Sequence, residues 1–471
     1  MRVRAALPLA FCVIGLAALL IASACGDGSG TTTSRTSSAS INLSISDPST
    51  CTAPNGPYSS VYVTIADVKI HQSATAGAND AGWVDLTPGL TPTQIDLLGT
   101  ANTSCLLASL GSNIQITAGS YQQIRVYLFD NNKANQVTNN KCGANAANCV
   151  VLASNPNNPQ RLELSSESQT GIKIPSGQIA GGNFTVNGGE SRDLNIDFNT
   201  CASIVIQGNG KYRLKPVLHA GQVSLNASSI SGKVVDSVSK AAIAGGKVVV
   251  ALEQVDTTGA ITRVMMETIP DATGNFVFCP VPAGTYYVVA VAIDGSGTAY
   301  AATVTTGVQP GNALGNVPLV ATTGTNTGPA TITGQVTTAT AAPAGTSADI
   351  SLSTTQSVNN VLVTVPQAAT SSATLGLATA ANASCPANTQ CVSYTVQVPA
   401  ANPNVGAFAA AGTTYAQATG NVEYTLDALA FVPNSGGTAD CNPPEVKSTT
   451  PLAVTAGATA IAPDLTFTGC Q

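Results

Sequence analysis

The sequence predicts an all-β protein: antiparallel β-sandwich modules in tandem, behind an export signal and a flexible tether. Only 9% of its 471 residues are charged and 4% aromatic, yet 44% are hydrophobic. A typical domain is about 25% charged, so little material exists here for the polar faces of amphipathic helices. Ala, Thr, Ser, Val, Asn and Gly dominate, with 44 Gly and 26 Pro to punctuate the chain, a composition that suits short strands joined by frequent turns. Apolar residues then alternate with polar ones at the period of two that marks a half-buried strand.

The first element, residues 1–24, is a signal peptide. Met1-Arg2-Val3-Arg4 supplies the charged start, Ala5 to Ile21 the apolar core, and Ala22-Ser23-Ala24 the small residues before Cys25, which is the layout of a cleaved export signal. A cysteine at the cut is what lipid transfer needs, its thiol being the attachment point, and Cys25 is the expected lipidation site. Two departures stand beside this: Ala22 occupies the place where such signals usually carry Leu, and Ala22-Ser23-Ala24 also fits ordinary signal peptidase. Residues 25–40, mostly Gly, Ser and Thr, form a tether too polar to pack. No later apolar run reaches the roughly 18 residues of a spanning helix, so the lipid is the membrane contact expected, in the cell envelope at the outer membrane or cell surface.

Residues 41–225 form the first β domain. Val61, Val63 and Ile65 share a face and Val68 with Ile70 continue on the other parity, which predicts a bulge at Ala66-Asp67. Ile124, Val126 and Leu128 alternate with Gln123, Arg125 and Tyr127; Leu194, Ile196 and Phe198 alternate with Asp193, Asn195 and Asp197. Both stretches predict an antiparallel sheet with one solvated face, packed on a second layer. This domain resembles the family of exported bacterial proteins DUF4382 through Val61-Tyr62-Val63-Thr64-Ile65, Trp83-Val84-Asp85-Leu86, Ile95-Asp96-Leu97-Leu98, Ala118 to Arg125, Gly171 to Gly177, Asp197-Phe198 and Gly208 to Pro216. The resemblance implies architecture and no chemistry.

Residues 226–322 form the second domain. Ser229 to Val235, Gly274-Asn275-Phe276-Val277-Phe278 and Val281-Pro282-Ala283-Gly284-Thr285-Tyr286-Tyr287-Val288 resemble the carboxypeptidase-regulatory-like, transthyretin-type β-sandwich, a spacer or binding platform. Residues 323–471 are expected to be a degenerate second copy. Thr331 to Val336 echoes the opening, Gly406-Ala407-Phe408 the Gly-x-Phe strand, Gly412-Thr413-Thr414-Tyr415 the proline turn, and Val422 to Leu426 a later strand.

The chain has 12 Cys. Removing Cys12 with the signal and capping Cys25 with lipid leaves an even number in an oxidising compartment, where disulfides form. Cys142 with Cys149, Cys385 with Cys391, and Cys441 with Cys470 are the expected pairs. Cys51, Cys105, Cys201 and Cys279 allow three pairings, of which Cys51–Cys105 and Cys201–Cys279 are preferred. No Cys-x-x-Cys or neighbouring His suggests a metal.

Catalytic signals are few. His71 and His219 are the only histidines, and both read as strand residues rather than partners of a nucleophile. Ser237-Val238-Ser239-Lys240 matches Ser-x-x-Lys without the helix that chemistry needs. Asp193, Asn195, Asp197 and Asn199 alternate on a strand and lack the Gly and Glu of a calcium loop, and Asp130-Asn131-Asn132 reads as an Asx turn. The formal charge of −6, more negative once Arg2 and Arg4 leave with the signal, offers no basic patch for nucleic acid. The expected function is a non-enzymatic, lipid-anchored envelope protein with a structural, adhesive or partner-binding role, without cofactor or metal. The alternative is glycan binding by stacking on aromatics, with Trp83, Tyr121, Tyr286 and Tyr287 as candidates, and the partner expected is a glycan or an envelope protein.

Overall fold

A computed structural model describes residues 38–46, 58–98, 108–165, 167–198, 200–206, 210–216, 218–223, 229–243, 245–338, 348–370, 372–381, 383–431, 441 and 443–470. Strands dominate it. The first module contains β1 (Ser38–Ser46), β2 (Tyr58–His71), β3 (Val84–Asp85), β4 (Ala108–Thr117), β5 (Gln123–Leu128), β6 (Ile172–Pro175), β7 (Ser191–Phe198) and β8 (Leu218–Val223). The register of β2 on β5 slips between Ile65 and Asp67, so Val61, Val63 and Ile65, then Val68 and Ile70, are all buried in spite of the parity change. One sheet runs β8-β7-β1-β4, with β1 and β7 parallel and the other pairs antiparallel; β6-β5-β2 lie in the other. A single cluster that includes Ile41, Leu43, Val63, Ile65, Ile124, Val126, Ile196 and Phe198 fills the space between.

Two faces expected to be solvated are buried. Gln123 and Arg125 are covered by the loop that follows His71, with Gln123 Nε2 donating to Ala76 O (3.0 Å) and Arg125 Nη1 to Thr170 O (2.7 Å). Asn195 and Asp197 are also buried. Their row zips onto β1 in parallel register: Asn42 Nδ2 donates to Asp193 Oδ1 (2.8 Å), Ser44 Oγ to Asn195 Oδ1 (3.0 Å), and Asn195 Nδ2 to Ser46 Oγ (2.8 Å). Asp197 also feels Glu267 of the next module, a neighbour that period-two patterning within one domain cannot register.

The middle module follows as β9 (Ile230–Asp236), β10 (Lys247–Val255), β11 (Thr262–Thr268), β12 (Asn275–Phe278), β13 (Tyr286–Ile293), β14 (Ala299–Val308) and β15 (Ala313–Leu319). β9 pairs antiparallel with β12 and parallel with β15, facing a sheet that runs β11-β10-β13-β14. The last module has β16 (Ala330–Thr338), β17 (Asp349–Val358), β18 (Val361–Thr364), β19 (Gln390–Val398), β20 (Asn404–Ala407), β21 (Ala416–Gln417), β22 (Glu423–Phe431), β23 (Glu445–Lys447), β24 (Thr459–Ile461) and β25 (Leu465–Phe467).

The last module repeats the pairing scheme of the middle one. β16 pairs antiparallel with β19 and parallel with β24 and β25, and the facing sheet runs β18-β17-β22-β23. The counterpart of the middle module's Gly-x-Phe strand is therefore β19. Gly406-Ala407-Phe408 has a different place: β20 lies parallel to β14 and β21 extends the same sheet, so this piece of the last segment belongs to the middle module's sheet. The boundary expected between residues 322 and 323 is crossed at this point.

Candidate functional site

Charged side chains converge where the modules meet. On β10 and β11 of the middle module, Glu253, Arg263 and Glu267 each reach the last module. Glu253 Oε2 accepts from the Thr262 hydroxyl and from the Thr364 N–H (3.1 Å). Arg263 Nη1 donates to Asp427 Oδ2 and Nη2 to Glu445 Oε1 (2.8 Å). Glu267 Oε2 accepts from the Ala373 N–H (2.6 Å). All three are aimed into packed protein, where a charge is costly unless it is partnered.

The electrostatics follow from that burial. Desolvation pushes the Glu253 carboxyl up to about 8, against the hydrogen bonds from Thr262 and Thr364. Desolvation likewise raises Asp427 to about 7 although Arg263 opposes it. Burial would raise Glu445 too, but hydrogen bonds with Asp427 and Lys447 and the Arg263 charge hold it down to about 2. Between the first and middle modules, burial sets Asp197 well above the carboxylate range, opposed by the Ser46 hydroxyl and assisted by Glu267. Its register partner His219 is fully buried and, by desolvation, falls to about 3, a neutral ring at ordinary pH. Lys215 Nζ meets Ile350 O of the last module at 3.5 Å.

Trp83 is half-buried in the first module, beside the loop that follows His71. Its Nε1 donates to Gly77 O (2.8 Å), its ring lies 5.1 Å from His71, and Arg125 sits 5.4 Å from its centroid. His71 ties down the loop: its Nδ1 accepts from the Ser73 N–H (2.8 Å), which leaves Nε2 to donate to Ala81 O (3.0 Å). Gly82, at φ +103°, comes so close to His71 that a Cβ there would lie 2.9 Å from Nε2.

The other aromatic candidates are not surface platforms. Tyr121 and Tyr286 are buried, their phenols donating to Thr117 O and Pro282 O, both at 2.7 Å. Tyr287 is half-buried and packs on the core shared by the middle and last modules. Each of these rings fills space behind a turn or between modules, which is why a tyrosine in a strand does not by itself mark a stacking surface.

Cys142–Cys149, Cys385–Cys391 and Cys441–Cys470 are disulfides. Cys279 is disulfide-bonded. The signal, Cys25, the tether to residue 37, Cys51, Cys105, Asn199 and the side chain of Cys201 lie outside the described residues. Ser237 to Lys240 is an exposed turn in which Asp236 Oδ1 accepts from the Val238 N–H (3.0 Å) and Lys240 Nζ donates to Ser237 O. Asp130 caps its turn by accepting from the Asn132 N–H (2.9 Å). A hollow of about 220 Å³ lies on the middle module between residues 242–248 and 269–274, smaller than the roughly 300–1,000 Å³ of ordinary ligand pockets. Among the described residues no helix is long and apolar enough to cross a membrane.

One family model, described as a domain of unknown function, matches residues 38–216, which span most of the first module. These residues are a DUF4382 domain. No curated protein matches the chain. Among solved structures it is similar to the Bacillus anthracis TIE protein, at 10% identity over 92% of this chain and 51% of that one, with a TM-score of 0.16. It is also similar to the shaft pilin SpaA of Lactobacillus rhamnosus GG, at 11% identity over 61% and 98% with a TM-score of 0.16. For the minor pilin GBS52 of Streptococcus agalactiae the values are 11%, 51% and 96%, with a TM-score of 0.15. The chain spans about half the length of the first of these. Overlaps this slight carry no argument about its role.

Proposed function

We propose that this chain is a non-enzymatic protein of the bacterial cell envelope, exported and held by lipid at Cys25, with a structural, adhesive or partner-binding role. The observation that carries this is the use to which its buried ionisable groups are put. Glu253, Arg263 and Glu267 are spent on Thr364, Asp427, Glu445 and Ala373 of the neighbouring module, and the neutral His219 lies buried against β7. Perturbed groups that face a cleft suggest catalysis; groups that bridge modules hold a platform in one shape. The −6 charge of the chain favours partners other than nucleic acid.

A second reading, glycan binding, now rests on Trp83, which is half-buried; Tyr287 is half-buried too but packs where two modules meet. The test for both is a screen of the Cys25→Ser chain against glycans, envelope polymers and envelope proteins, with Trp83→Ala beside it. Binding to an envelope protein unaffected by Trp83→Ala supports the first reading; a glycan hit abolished by that substitution moves the protein to the second. Fatty-acid labelling of the wild type that disappears in Cys25→Ser tests the anchor.

A further inference from the structure

The last module contains in two pieces a motif that its neighbour holds unbroken. In the middle module Val281-Pro282-Ala283-Gly284 turns the chain into buried Tyr286, whose phenol donates to Pro282 O across a sequence separation of 4. In the last module Val398-Pro399-Ala400 opens the same turn and Gly420 resumes it. Buried Tyr424 then donates to Pro399 O (2.8 Å) across a separation of 25. Residues 401–419 lie between.

This insertion is a hairpin closed at its root. The Ala418 N–H donates to Pro403 O and Asn402 Nδ2 to Gly420 O, both at 2.8 Å. It crosses to the middle module, where Asn404 to Ala407 pair in parallel with Thr303 to Thr306. The Phe408 N–H donates to Thr306 O (2.9 Å), Tyr415 Oη lies 2.8 Å from Thr305 Oγ1, and the Phe408 ring packs on the middle core. A Cβ at Gly406 would fall within 2.9 Å of Thr413, Thr414 and Tyr415, so the hairpin's own packing sets its shape.

The edge it covers needs covering. β14 is ten residues of Ala, Tyr, Thr, Val and Gly without a charge, mostly buried; its Ala299 and Ala301 are hydrogen-bonded to Val320, Thr322 and Thr327, and its stretch from Thr303 to Thr306 pairs with the hairpin. Its topological counterpart, β23, is three residues long and carries Glu445 and Lys447. Short, charged edges resist strand addition, whereas long neutral ones invite it. The motif is unbroken where no insertion is present and split where the insertion reaches the neighbour's unguarded edge.

We propose that residues 401–419 are a strap that fills a strand-accepting edge on β14 and so locks the last module to the middle one, and that this edge will accept the same neutral extended segment supplied in trans. Recognition is main-chain pairing with apolar anchorage at Phe408, the general mode of strand addition.

Excising 401–419 from the full chain joins Ala400 to Gly420 and restores the Val-Pro-Ala-Gly of the middle module. The variant is expected to keep its β circular dichroism, to melt in two steps where the wild type melts in one, and to exchange the amides of residues 303–306 roughly tenfold faster or more. A synthetic peptide of residues 402–417 should bind it, restore that protection, and leave the wild type unbound. Unchanged protection after excision, or failure of the peptide to bind, overturns the proposal. Should the excised chain not fold, Phe408→Ala with Tyr415→Phe in the intact chain gives the same readout: faster exchange of those amides supports the strap and unchanged exchange overturns it.

Discussion

Tyr286 and Tyr424 hold the same post in successive modules. Each is fully buried at the head of the strand that leads into the centre of its sheet, and each phenol donates to a prolyl carbonyl, Pro282 O at 2.7 Å and Pro399 O at 2.8 Å. Removing the hydroxyl leaves a buried carbonyl without this donor, a loss of about 1–3 kcal/mol. Tyr286→Phe and Tyr424→Phe are expected to lower stability by similar amounts in chemical denaturation. A cost at one position and none at the other would mean that the two turns are not equivalent.

That equivalence was available in the sequence as the repeated Val-Pro-Ala of 281–283 and 398–400, followed each time by Gly and Tyr. It is obscured by the strap, which displaces the glycine and tyrosine and offers Gly406-Ala407-Phe408 and Tyr415 as decoys of the right composition. What was legible had a short range: the parity change in β2 and the disulfides between Cys142 and Cys149 or Cys385 and Cys391 depend on residues close in the chain. What was not legible depends on modules meeting. Asp197 alternates like a solvated residue yet is buried, with Glu267 of another module among its neighbours. Tyr287 looks like a surface ring because the core it packs on is completed by residues of the last module.

The seam between the middle and last modules should weaken as pH rises from acid to neutral and beyond. Glu253 rises from 4.5 to about 8 and Asp427 from 3.8 to about 7 on folding, chiefly through desolvation. A carboxyl raised in the folded state contributes stability that is full below its unfolded pKa and is lost as pH climbs to the folded one. Stability should therefore fall as pH rises from about 4 to about 8. Glu445, held down to about 2, acts in the opposite sense, its contribution being present above 4.5 and lost as pH falls through 2. Thermal melts from pH 4 to 9 check this: the decline should flatten in Glu253→Gln, and an equal slope in both proteins would remove Glu253 as its cause.

Arg263 and Asp427 should behave as a buried pair. Their side chains are 11% and 0% exposed, so Arg263→Met strands a carboxylate and is expected to cost about 3–5 kcal/mol. Arg263→Met with Asp427→Leu should recover much of that loss, since neither charge is then left in the interior. A double-mutant cycle by denaturant titration measures the coupling. Additive losses would mean that the two groups do not depend on each other.

The contact between the first and middle modules can be tested at one atom. Gly221, in the middle of β8, lies against the turn of the neighbouring module, and a Cβ there would fall 2.5 Å from Pro282 Cγ and 2.7 Å from its Cβ. A proline ring cannot swing aside as a long side chain does, and the same Pro282 receives the Tyr286 phenol, so the turn has little room to retreat. Gly221→Ala is expected to cost about 1–3 kcal/mol, the usual range for overpacking, and to quicken exchange on both sides of the joint. Gln222→Ala, on the same strand with its side chain half-buried, should do neither. If Gly221→Ala leaves both stability and exchange at wild-type values, the two modules do not meet through this glycine.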